Sequence, residues 1–113
     1  MHRQINSNIG SGLKPTAVAG SNIYSKGMTL KAGNFYAIVA HAFGGTASQK
    51  PATKITYGTA DNVHEIYKTY RQITALGWSA HTFILLYVTS DTTLTITHSN
   101  YTGNVVSNVF LLG

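Results

Sequence analysis

The stretch Phe35-Tyr36-Ala37-Ile38-Val39-Ala40-His41-Ala42-Phe43 decides the fold, because it is apolar at nearly every position. The turn residues Lys31-Ala32-Gly33-Asn34 precede it and Gly44-Gly45 close it, so it reads as one strand. In a pleated strand successive side chains point to opposite faces. Phe35, Ala37, Val39, His41 and Phe43 then share one face, and Tyr36, Ile38, Ala40 and Ala42 the other. Neither face is polar.

Two more segments repeat this pattern. In Thr82–Val88, Phe83, Leu85 and Tyr87 oppose Ile84, Leu86 and Val88; in Val105–Leu112, Val105, Val109 and Leu111 oppose Val106, Phe110 and Leu112. By contrast, Thr92–Ser99 alternates, with Leu94 and Ile96 facing away from Thr93, Thr95 and Thr97. A lone two-sheet sandwich gives each strand one inner and one outer face, so its strands should alternate as Thr92–Ser99 does. Three strands that are apolar on both faces need a second cover: a helix would protect part of that surface, and a subunit interface covers all of it. Tyr36, Ile38, Ile84, Leu86, Val106, Phe110 and Leu112 are the candidate interface residues.

Further strand signals sit at Ile23–Leu30 and at Lys54–Tyr57, the latter closed by Gly58. Loops fall around Gln49-Lys50-Pro51, at Ser90-Asp91 and over Asn100–Asn104. The chain is read as all-β: an antiparallel β-sandwich of jelly-roll type in a single domain over residues 23–113. Residues 1–22 contain few large apolar side chains and carry Gly10, Gly12, Pro15 and Gly20, so they read as an extended N-terminal arm that orders on assembly.

Residues 62–76 fit two readings. Val63, Ile66, Tyr67, Tyr70, Ile73 and Leu76 fall near helical spacing, Asn62 with Glu65 matches a capping box, and Gly77 sits where a helix stops. Against one short helix stand the β-favouring Ile66 and Tyr70 with their Thr-rich flanks.

Composition bounds the function. With 113 residues and 43% hydrophobic content, the chain can bury a core. Only 10% of residues are charged; the polarity comes from 15 Thr, 9 Ser and 8 Asn, which suit strands and turns. The net charge is +5, yet the eight cations are strung out singly and none follows Arg71. That spacing argues against a phosphate-tracking stripe, although folding could gather the cations. No cysteine is present, which excludes disulfides and thiolate metal sites. No apolar run approaches the ~20 residues of a membrane span, and none is expected to insert.

Catalysis finds little material. The only acids are Asp61, Glu65 and Asp91, two of them in turn contexts, and no nucleophile elbow, phosphate loop or zinc-protease pattern occurs. No catalytic residue and no cofactor is assigned. No two of the five histidines have the spacing that gathers ligands on one strand or one helix, so no metal site is expected and hydrogen-bonded histidines are the plainer reading. Surface contact remains, and aromatic side chains serve it best. Trp78, Tyr57, Tyr67, Tyr70, Arg71 and Tyr101 are the candidate ligand or receptor contacts; the competing reading makes these rings the ends of a small core.

The order Leu30-Lys31-Ala32-Gly33-Asn34-Phe35-Tyr36-Ala37-Ile38-Val39, then Phe83–Val88, Thr92–Thr97, an Asn-Tyr-Thr-Gly loop and Val109-Phe110-Leu111-Leu112 carries a resemblance. It resembles the small jelly-roll heads of bacteriophage tail fibres and other virion proteins. More distantly it is similar to the trimeric jelly rolls of the tumour-necrosis-factor and complement-globular-head type. The resemblance implies a homotrimer with the Phe35–Phe43 and Val105–Leu112 strands inside and receptor-contacting loops at one end. It implies partners that are other virion proteins or a host-surface receptor or glycan, and a place in the virion. A start at Met1 fits a capsid decoration protein or tail-tip subunit better than a head behind a long shaft. Two other functions compete: a carbohydrate-binding module using Trp78 or the loop tyrosines, and a basic nucleic-acid-binding domain.

Overall fold

The structure, a computed structural model, describes residues 16–17, 25–74 and 77–113. Apart from Thr16–Ala17, the expected arm over 1–22 lies outside the described residues. Among the described residues eight strands follow in chain order: β1 (Thr16–Ala17), β2 (Ser25–Leu30), β3 (Phe35–Phe43), β4 (Ala52–Tyr57), β5 (Val63–Ile73), β6 (Ser79–Val88), β7 (Thr92–Ser99) and β8 (Val105–Leu111). They form two antiparallel sheets, one ordered β1-β8-β3-β6-β5 and one ordered β2-β7-β4. Successive strands change sheets at every connection except β5 to β6, as in a jelly roll. The all-β sandwich expected from the strand signals is what the chain forms.

No helix occurs over the described part of 62–76; Val63–Ile73 is the eleven-residue strand β5, preceded by a single 3-10 turn at Ala60–Asn62, and residues 75–76 lie outside the described residues. The capping-box pair is used otherwise: the Asn62 amide donates to the Asp91 carbonyl, and Glu65 accepts a proton from Tyr57. The helix-like spacing has a local cause. β5 has a bulge between Glu65 and Tyr67, with Ile66 unpaired opposite β6, so side chains beyond it swap faces relative to strict alternation.

The core lies between the sheets. Tyr36, Ile38 and Ala40 of β3, Ile84, Leu86 and Val88 of β6, and Val109 of β8 pack against Leu30, Leu94 and Ile96 of the smaller sheet. The larger sheet is held by long ladders that pair Ile38 with both Ile84 and Val109. At one end of the sandwich the Phe43–Gly44 and Thr102–Gly103 turns interlock: Gly103 N donates to Phe43 O, and Thr102 N to Gly44 O.

Candidate functional site

Every side chain that faces away from the core on β3 and β6 belongs to one continuous surface. The register sets Phe35 beside Tyr87, Ala37 beside Leu85, Val39 beside Phe83 and His41 beside His81. On the other side of β3, Ala37 meets Phe110 and His41 meets Val106. β5 adds Tyr67 opposite Leu85 and Arg71 opposite His81. Rings make contact within this face: Phe35 with Tyr87 at 4.7 Å between centroids, Tyr67 with Phe83 at 6.1 Å, and Phe43 with His81 at 5.6 Å. Phe43, Phe83, Ile73 and Tyr67 remain exposed. No Lys, Arg, Asp or Glu occurs anywhere in β3, β6 or β8.

Two histidines sit at the centre of one end of this face. His41 Nδ1 and His81 Nδ1 are 2.8 Å apart, and His81 Nε2 is 2.8 Å from Ser79 Oγ. Burial, and then the charge of His81, lowers the His41 pKa below its ordinary value. A third histidine lies in the core: His98 bridges Thr53 Oγ1 at 2.8 Å and Ser107 Oγ at 2.5 Å. Burial, and then His41, lowers its pKa too. No group of three His, Cys, Asp or Glu side chains that could hold a metal occurs among the described residues.

The expected interface residues divide between the two faces. Val106 and Phe110 lie on the outer face of the larger sheet. Tyr36, Ile38, Ile84 and Leu86 point into the sandwich and are sealed there, none more than 3% exposed; Leu112 is buried just past the end of β8. These five belong to the core, and their outward-facing neighbours form the surface. Where both faces are apolar, alternation alone carries no sign that tells inside from outside.

The expected contact residues scatter as well. Tyr67 and Arg71 stand on the outer face at its β5 margin. Trp78 is half-buried before β6 with Lys50 Nζ 5.5 Å from its ring centroid, and Tyr101 is half-buried in the loop between β7 and β8. Gly44 links these two loops, donating to the Trp78 carbonyl and accepting from Thr102 N. Tyr57 and Tyr70 sit at the opening between the sheets, where β4 and β5 face each other. There the links are made by side chains: Tyr57 donates to Glu65 at 2.6 Å, Tyr70 Oη accepts from Thr53 N at 3.4 Å, and Gln72 donates to the Pro51 carbonyl at 2.9 Å. Burial, and then the bond to Glu65, raises the Tyr57 pKa well above the usual tyrosine range. Sequence reasoning missed the His41–His81 pair, because 40 residues of chain separate partners that only the β3–β6 register brings together.

No protein-family model, curated protein or solved structure matches this chain.

Proposed function

We propose that this chain is a non-enzymatic structural or attachment subunit that assembles with copies of itself through the outer face of the larger sheet. The observation that carries the reading is the composition of that face: aromatic and aliphatic side chains, with His41, His81 and Asn108 among them, over three adjacent strands that hold no formally charged residue. Among the described residues nothing lies over this face, and a bare apolar face of this breadth is unusual on a monomer. Charge favours a second copy as the occupant. The chain carries +5, so two copies repel wherever lysines meet, and the uncharged face is where they can approach without that cost. The resemblance to trimeric jelly-roll virion proteins supports a homotrimer within a virus-like particle.

Two of the three acids, Asp91 and Glu65, are held in structural contacts, which supports a non-catalytic role. Asp91 is engaged by Lys31 Nζ and by Ala32 N, both at 2.8 Å, and Glu65 holds the Tyr57 hydroxyl. Light scattering on the purified chain tests the assembly. A stable trimer is expected, and a clean monomer across the micromolar range overturns it.

A further inference from the structure

We infer that the slot between β4 and β5 is a binding site for one ring of an acidic sugar, a uronic or sialic acid residue. The slot is lined by Thr53, Lys54 and Ile55 of β4, Lys68 and Tyr70 of β5, and Thr82 of β6, and encloses about 230 Å³. That is smaller than the roughly 300–1,000 Å³ of sites for drug-sized ligands, and suits a single ring.

Its floor holds an unusual group. Thr82 is 2% exposed, and its hydroxyl has no hydrogen-bond partner among the described residues. A buried hydroxyl left unpaired is destabilising, so a partner brought in by a ligand recovers stabilisation that folding leaves unused. The walls offer complementary chemistry. Tyr70 presents a ring to stack on a sugar, and its hydroxyl accepts from Thr53 N, which leaves its proton free to donate. Gly58 N bonds to Thr93 O of the neighbouring strand β7. The alternation of an antiparallel ladder then turns the N–H and C=O of Ile55 to the opposite side, toward the slot.

Charge selects an acidic ring over a neutral one. Lys68 occupies the register position opposite Ile84, on the inward side of β5; Lys54 borders the slot from β4, where alternation with Thr53 and Ile55 turns its side chain to the outer face of the smaller sheet, so Lys68 carries the selecting charge. Neither lysine is paired with an acid among the described residues, where the one salt bridge joins Lys31 to Asp91. Glu65, the nearest acid along that side of β5, is already held by Tyr57. The slot opens between the sheets and not on the outer face, so sugar binding stands or falls separately from assembly.

The test is a heteronuclear NMR titration of the full chain with glucuronate, with glucose and inorganic phosphate as comparisons. Saturable shifts at Ile55, Lys68, Tyr70 and Thr82 are expected, with glucose about tenfold weaker, a ~1.4 kcal/mol difference. Lys68→Gln should weaken glucuronate by a similar factor. Thr82→Val, which keeps the side-chain shape and should leave the free spectrum intact, should weaken it severalfold. Absence of saturable shifts at these residues, or affinity unchanged in both variants, overturns the site. Equal binding of phosphate and glucuronate overturns the sugar assignment.

Discussion

His41 and His81 share a hydrogen bond through their Nδ1 atoms, 2.8 Å apart across the β3–β6 ladder, toward one end of the outer face of the larger sheet. One of the two nitrogens must accept, so at least one ring of the pair stays neutral. Protonating both would place two like charges in contact and, in an assembly closed over this face, would bury them.

The sign of the resulting pH dependence follows from His41 and His98, whose folded-state values both lie below the ordinary 6.5. As pH falls, the unfolded chain takes up protons first. Stability is therefore full above the unfolded value, declines as pH drops through it toward the lowered folded values, and levels off below them. Thermal melts should show a lower midpoint near about pH 5.5 than near about pH 7.5, with His41→Asn giving a shallower dependence. A midpoint that does not move with pH over that interval would contradict this.

Within the core, Ser107 and Thr82 should respond to loss of their hydroxyls with opposite signs. Ser107 Oγ is one of two partners of buried His98, so Ser107→Ala strands an imidazole nitrogen and should cost about 1–3 kcal/mol in urea denaturation. Thr82 Oγ1 has no partner among the described residues, so Thr82→Val should be neutral or stabilising. Equal destabilisation by both would show that an unseen partner satisfies Thr82.

Two glycines separate backbone strain from steric collision. Gly33 and Gly44 both have left-handed φ, +83° and +84°, which costs a side-chain-bearing residue about 1–2 kcal/mol. A Cβ at Gly33 meets nothing within 4 Å, while one at Gly44 lies 2.6 Å from Thr102 Oγ1 and 2.7 Å from Gly103 N. Gly44→Ala should therefore lower the melting temperature well beyond Gly33→Ala, because the interlocked turns must separate.

Neighbouring residues on β6 distinguish surface from core. Phe83 is 37% exposed on the outer face and Ile84 is fully buried between the sheets. Phe83→Lys should reduce the light-scattering mass toward that of a monomer while circular dichroism stays native. Ile84→Lys should unfold the chain, because it drives an unpaired charge into the core. An oligomer that withstands Phe83→Lys, and Val39→Lys likewise, would move the interface away from this face.

Much of the fold was legible in the residues. The apolar runs at Phe35–Phe43 and Thr82–Val88, and the alternation over Thr92–Ser99, became β3, β6 and β7, because short apolar segments between turn residues leave a chain few other ways to bury them. The stretch 62–76 was ambiguous because a bulge at Ile66 shifts the spacing of its apolar residues from a strand period toward a helical one. The contact sites were less legible. Trp78 and Tyr101 read from the sequence as candidate contacts, yet both are half-buried in their loops.

By itself the sequence determined that β3, β6 and β8 carry too much apolar surface for one sandwich to hide, since that depends only on which residues occupy each strand. Only the tertiary structure decided which face is the core. Ile38, Ile84 and Val109 go inward, and Val39, Phe83 and Phe110 outward, through the pairing of strands far apart in the chain. A shift of one residue in that pairing exchanges the two faces, and no local pattern encodes it when both are apolar. The same long-range registers place His41 against His81, and Thr82 beneath the slot between Lys54 and Lys68.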